Sequence, residues 1–156
     1  MEYGRRELFL LAGSLAVAFL AASLGGFFTA GSVSTWYPGL AKPWFTPPNW
    51  VFGPVWTVLY AMMGASLFLV VRESLERRPL AAFGTQLALN VAWSAAFFGL
   101  KSPALGLAVI ALLLGAILWT VREFYRVSRA SAYLLIPYLF WVVFAAFLNL
   151  AIYLMN

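Results

Sequence analysis

An all-α integral membrane protein, five transmembrane helices packed as one bundle, is the fold class this sequence predicts, and three observations predict it. The residues are 64% hydrophobic and 10% charged, with a mean hydropathy of +0.91, whereas soluble domains are roughly half apolar and a quarter charged. Five runs of about 20 or more residues free of internal charge follow one another, each enough to cross about 30 Å of hydrocarbon at about 1.5 Å per residue. Nothing in those runs alternates apolar with polar as the strands of a membrane barrel must. The expectation is one domain over residues 1–156, with no soluble domain and no long linker.

The first run, Glu7 to Gly31, is too long and lacks the small-residue cleavage pattern of a removable signal peptide. After it comes WYPGLAKPWFTPPNWVFGPVW (36–56), with four of the seven Trp and five of the eight Pro. Pro38, Pro43, Pro47 and Pro48 restrict the backbone and lower the entropy lost on ordering it, while Trp36, Tyr37 and Trp44 supply apolar area. That combination reads as a preorganised lid, formed by Trp36, Lys42, Pro43 and Trp44, with Gly39 and Gly53 giving it freedom to open. Thr46 before Pro47 suits a helix start, with Thr as cap and Pro at the first helical position.

The second run, Pro47 to Val71, places Trp56 and Tyr60 one turn apart, with Gly53 and Gly64 extending that face. The third, Leu80 to Leu100, has two unlike stripes. Gln86 and Asn90 fall within about 40° of each other and are joined by Trp93 and Phe97. Opposite them run Gly84, Ala88, Ala92, Ala95 and Gly99, the small-residue spacing that lets helices approach closely in lipid. This stripe serves packing within the monomer or a dimer face, and the amides serve either helix-to-helix bonding or a ligand. The fourth run is Ser102 to Val121. The fifth, Ala130 to Asn156, brings Tyr138, Trp141, Ala145 and Asn149 to one face beyond a kink expected near Pro137. Counted from the lid side, Trp56 lies about 12 Å deep, Asn90 about 15 Å and Trp141 about 20 Å. Aromatic and amide groups at similar depth compose a pocket for a flat apolar ligand. Trp50 and Trp119 read as interfacial belt residues, whereas Trp56 and Trp141 are too deep for a belt.

Arg5, Arg6, Arg72, Arg77, Arg78, Arg122, Arg126 and Arg129 fall on one side of the predicted bundle, and only Lys42 and Lys101 on the other. The positive-inside bias then puts the N terminus in the cytoplasm and the Trp/Pro stretch and C terminus outside. The net charge of +5 is explained by orientation and anionic lipid, without nucleic acid. The chain has no His, Cys or Asp, which removes the usual metal ligands and the Ser-His-Asp and Cys-His nucleophile systems. Its glutamates, Glu2, Glu7, Glu73, Glu76 and Glu123, stand at predicted helix ends or loops, so none is placed mid-membrane to couple ion transport.

Four stretches, WYPGLAKPWFTPP (36–48), VWTVLY (55–60), QLALNVAWSAAFF (86–98) and LLIPYLFWVVFAAFLN (134–149), make the chain resemble the TspO/MBR family, the tryptophan-rich sensory and translocator proteins. They follow that family's order and separations over nearly the whole chain. The resemblance implies a five-helix bundle, usually a homodimer, whose ligand cavity is capped by the loop between the first two helices. It implies binding of porphyrins such as protoporphyrin IX, with no cofactor required, and of drug-like ligands and, in some members, sterols. Carried over by position, the pocket holds Tyr37, Pro47, Trp56, Tyr60, Asn90, Trp93, Trp141 and Ala145, to which the aromatic and amide faces add Gln86, Phe97 and Tyr138. Trp56 and Trp141 match the tryptophans that bacterial relatives associate with light-dependent porphyrin breakdown. The sterol pattern of animal members fails here, because Leu150 and Tyr153 are followed by no Lys or Arg; Val121, Tyr125 and Arg129 match it only formally.

The function expected is therefore a membrane tetrapyrrole-binding protein acting as sensor, scavenger or regulator, with photochemical rather than acid-base conversion of its ligand. The alternatives are a transporter of porphyrins or other amphiphiles, against which stand the odd helix number and the lack of an inverted repeat, and a structural partner protein. The cytoplasmic membrane is the expected location, with the outer membrane as the alternative.

Overall fold

A computed structural model describes the backbone from Glu2 to Asn156 and the side chains from Gly4 onward. The helices are α1 (Glu2–Val33), α2 (Asn49–Glu73), α3 (Arg77–Ser94), α4 (Pro103–Val127), α5 (Arg129–Leu134) and α6 (Ile136–Met155). Five helical spans, with α5 and α6 together making the fifth, are long and apolar enough to cross a membrane, and no strand occurs among the described residues. Phe9, Phe27 and Phe140 are among the large apolar side chains that stand exposed on the outside, the face a bilayer would cover. This is an all-helical, multi-pass membrane protein.

Local chemistry sets most of the boundaries. At α4 the Ser102 hydroxyl accepts the Leu105 N–H at 3.2 Å and Pro103 takes the first position, where its missing N–H costs nothing. The fifth span breaks at Leu135, and Pro137 sits in the first turn of α6, close to the expected kink. α3 does not end cleanly but widens into a π-turn over Ala95–Gly99. Lys101, at φ 54°, then reverses the chain toward α4. The start of α2 departs from expectation. Pro48, not Thr46, precedes the first helical residue, and the Thr46 hydroxyl donates backward to the Pro43 carbonyl at 2.7 Å, closing a turn instead of capping a helix.

The helices form a ring: α1 lies against α2 and α3, α3 against α4, α4 against α5 and α6, and α2 closes it against α5. The arginines gather where α1 starts, α2 ends, α3 starts and α4 gives way to α5, here called the arginine end; Lys42 and Lys101 lie at the opposite, loop end. The Glu2 side chain lies outside the described residues. Glu7 and Glu73 flank Arg72 at 4.0 and 3.7 Å. Glu123 is at a helix end as expected, yet it faces inward and is buried, with Arg126 at 3.6 Å as its countercharge. Gly84, Ala88 and Ala92 are exposed and Ala95 half-buried, and a Cβ on Gly84 would meet nothing within 4 Å. The small-residue stripe is thus not spent on packing inside the bundle, except at Gly99, where a Cβ would stand 3.0 Å from the Phe28 ring.

Candidate functional site

At the loop end the ring is hollow. α2 packs directly on α5, but farther along it reaches α6 through side chains, with Phe52 set edge-on to Trp141 at 6.1 Å and Trp56 to Tyr138 at 6.3 Å. Between these helices lies a cavity of about 310 Å³, at the small end of the usual range for ligand sites. α2 contributes Phe52, Gly53, Trp56, Thr57 and Tyr60; α3 and its π-turn contribute Trp93, Ser94, Phe97 and Phe98. From α6 come Trp141, Phe144, Ala145, Leu148, Asn149 and Ile152, and from α1 come Phe19, Ala22, Gly26, Thr29 and Val33. The π-turn matters to this wall. It carries the consecutive Phe97 and Phe98, whose rings are 4.8 Å apart and which both line the cavity.

Beneath the wall lies a linear chain of hydrogen bonds. The Tyr60 hydroxyl donates to Asn90 Oδ1 at 2.7 Å, Asn90 Nδ2 donates to the Tyr138 hydroxyl at 2.8 Å, and that hydroxyl donates to Gln86 Oε1 at 2.8 Å. Gln86 Nε2 ends the chain on Met63 Sδ at 3.8 Å. Gln86, Asn90 and Tyr138 are almost completely buried, and no buried side-chain nitrogen or oxygen among the described residues lacks a partner. In an apolar interior each such group would be costly unpaired, so the chain fixes α2, α3 and α6 relative to one another. A second amide, Asn149, accepts from Trp93 Nε1 at 3.0 Å and donates to the Pro103 carbonyl at 2.8 Å, which sets the tilt of the Trp93 indole.

The loop between α1 and α2 covers the top. Its 3-10 turn at Tyr37–Gly39 inserts Tyr37 into the cavity wall with 3% exposure, and burial pushes that phenol up to about 12. Trp36 packs edge-on against Phe97 at 5.6 Å. Lys42 Nζ donates to the carbonyls of Tyr37, Pro38 and Leu40 at 2.8, 3.3 and 2.9 Å and lies 4.9 Å from the centre of the Tyr37 ring. From α6 the Asn156 amide pairs with both backbone groups of Ala41, at 3.0 and 2.9 Å.

Of the residues singled out in the sequence, Tyr37, Trp56, Tyr60, Trp93, Phe97, Trp141 and Ala145 meet at this cavity. Gln86, Asn90 and Tyr138 stand behind it, the two amides joined through the Tyr138 hydroxyl, and the wall residue Tyr60 connects them to the cavity layer through Asn90. Pro47 and Pro43 are half-buried in the loop and outside the wall. Trp44 does not close over the cavity: it is 95% exposed, beside Phe45. Gly53 is no hinge, since it lies within α2 and lines the wall. The contributions of α1, and Thr57, Ser94 and Phe98, had no polar or aromatic pattern to announce them, although Asn149 shares the helical face of Trp141 and Ala145.

A family model described as the TspO/MBR family matches residues 14–154. The chain is similar to the tryptophan-rich protein TspO of Archaeoglobus fulgidus, 49% identical over 149 residues, 94% of this chain and 96% of that one. It is also similar to the translocator protein of Homo sapiens, 42% identical over 143 residues covering 86% and 85% of the two chains. A tryptophan-rich sensory protein from Cereibacter sphaeroides is 36% identical over 139 residues, 87% of each chain.

Proposed function

The chain belongs to the TspO/MBR family, and from that premise we propose that it is a membrane tetrapyrrole-binding protein that takes a porphyrin such as protoporphyrin IX into the aromatic cavity, as a sensor, scavenger or regulator of porphyrin handling. The supporting observation is the wall itself. Trp56, Trp93 and Trp141, with Tyr60, Phe97 and Phe144, surround a space whose few polar side chains besides its tyrosines and indoles are Thr29, Thr57, Ser94 and Asn149, which suits a flat apolar ligand held by stacking and oriented by few hydrogen bonds. The acid-base groups of ordinary catalysis are scarce in a chain without His, Cys or Asp. Conversion of the ligand, where it occurs, is photochemical: the excited porphyrin reacts with dioxygen, and Trp56 or Trp141 is the adjacent oxidisable indole.

The outward-facing Gly84, Ala88 and Ala92 support a homodimer joined along α3. The arginine asymmetry supports a cytoplasmic membrane location with the N terminus inside. Transport is the second reading, favoured by the name translocator protein borne by the human relative; no carboxylate lines the cavity to couple it to an ion. The missing basic residue after Tyr153 argues against a sterol at that position.

Titration of detergent-purified protein with protoporphyrin IX, haem and a sterol, read by tryptophan quenching, tests the reading. Saturable quenching by the porphyrin is expected, and its absence would discard tetrapyrrole binding. Flux of porphyrin into proteoliposomes beyond the lipid-only rate would favour transport. Under light, the double variant Trp56→Phe with Trp141→Phe should keep much of the binding while losing porphyrin breakdown, because phenylalanine is far harder to oxidise than indole.

A further inference from the structure

We propose that the cavity is loaded from the side, through a gap between α1 and α2 that faces the bilayer, and that the loop above it is a fixed cap. The ligand admitted this way is a molecule already dissolved in the membrane. This rests on the reading of the cavity as a ligand site.

The α1–α2 seam has two unlike ends. At Leu15 and Gly64 it is tight: a Cβ on Gly64 would stand 2.7 Å from Leu15 Cδ2 and 3.0 Å from Leu15 Cα. Eleven residues from that contact along each helix, about 16 Å nearer the loop, come Gly26 on α1 and Gly53 on α2. In antiparallel helices these two positions fall at one level. With 100° per residue, Gly26 lies about 20° from the direction of Leu15, and Gly53 about 20° from that of Gly64, so both point into the seam. Glycines facing each other usually let helices touch. Here they do not, because a Cβ on either would meet nothing within 4 Å, and both residues are exposed while lining the cavity. Thr57, one turn deeper on α2, and Phe19, farther down α1, are also exposed and also line it. The seam that is closed at Leu15 is therefore open at Gly26 and Gly53. Glycine at an exposed helical position costs about 1 kcal/mol relative to alanine. Packing does not account for it at these two positions, whereas an unobstructed passage does.

The top is fastened by contrast. Lys42 ties three carbonyls of the turn together, Tyr37 is almost fully buried, and the Asn156 amide clasps Ala41 from α6 with paired hydrogen bonds. Opening it would break all of these at once; using the side gap breaks none.

The test uses the full chain in phosphatidylcholine nanodiscs with protoporphyrin IX as probe, following tryptophan quenching in time. The variant Gly26→Phe with Gly53→Phe should slow association and release together by about tenfold or more. Gly13→Phe, equally unobstructed on α1 but away from the cavity, should change neither rate. Asn156→Leu, which unclasps the cap, should not speed association. Unaltered rates in the double phenylalanine variant, or several-fold faster association in Asn156→Leu, would overturn the side door. Faster release from the double variant would also overturn it, by showing that the new rings fill the site rather than block its access. If the double variant does not fold, Gly53→Leu is read by the same criteria and the Asn156→Leu arm stands independently. Absence of quenching at equilibrium in the unaltered protein would strike the ligand-site reading instead.

Discussion

The two ends of the bundle are made from the same apolar helices and use them in opposite ways. At the arginine end Gly64 seats α1 on α2, Phe83 and Phe124 stack nearly parallel at 5.7 Å and 8°, and Val70, Ala82 and Phe124 have no exposed surface. At the loop end most rings meet at wider angles: Trp56 and Trp93 at 35°, Trp141 and Phe144 at 42°, Phe52 and Trp141 at 69°, with Trp93 and Phe97, at 29°, the nearest to stacked. Small residues and parallel rings fill space, while large rigid plates with only two side-chain torsions, held at angles from several helices, leave a void they cannot collapse into. The chain of Tyr60, Asn90, Tyr138 and Gln86 lies between the two regimes and holds the boundary in place.

That contrast is most easily broken at the glycines. Gly64→Leu forces α1 away from α2 because the obstructing atoms include backbone, so a loss of about 1–3 kcal/mol or outright failure to fold is expected. Gly53→Leu should stay within about 0.5 kcal/mol of the parent protein. Thermal unfolding in detergent followed by circular dichroism compares them, and equal losses would mean the loop end is packed as tightly as the arginine end.

A smaller effect separates wall from belt. By analogy with the stacking of nucleobases on aromatic side chains, removing one stacked ring costs roughly 1–3 kcal/mol, or about five-fold to over a hundred-fold in affinity. Trp56→Ala and Trp141→Ala should each weaken protoporphyrin binding by that factor, and Trp44→Ala and Trp50→Ala, at 95% and 76% exposure, should change it little. Comparable losses at Trp50 and Trp56 would merge belt and pocket.

Below that stands the polar layer. Asn90→Leu takes away the partner of both Tyr60 and Tyr138, which in a membrane bundle costs about 0.6–1.7 kcal/mol. The loss should appear in unfolding, with porphyrin affinity falling less than in Trp56→Ala; an equal fall would show that the amide reaches the ligand. The smallest change in fold stability belongs to α3's outer stripe, where Gly84→Leu or Ala88→Leu should leave the monomer within about 0.5 kcal/mol while abolishing cross-linking of the homodimer proposed along α3. Failure to fold would return the stripe to the bundle's interior.

The sequence by itself determined the number of spans, because about 20 uninterrupted apolar residues have no other stable use than crossing lipid. It determined the break in the last helix through Pro137, and it collected most of the aromatic wall, since Trp56 with Tyr60 and Trp141 with Ala145 share helical faces by spacing alone. Tertiary structure alone decided which polar groups face the cavity. Gln86 and Asn90 share a face with Trp93, yet whether that face meets empty space or another helix depends on where Tyr60 and Tyr138 arrive from elsewhere in the chain. It also decided that Trp44 stands outside while Trp36 packs inside, because a proline-rich loop restricts its own backbone but its docking is set by Lys42 and the distant Asn156. The part played by Gly26 and Gly53 was hidden for the same reason: spacing put Gly53 on the face of Trp56 and Tyr60 but could not say what lies across from it, and only the helix opposite shows whether a glycine closes a gap or keeps one open.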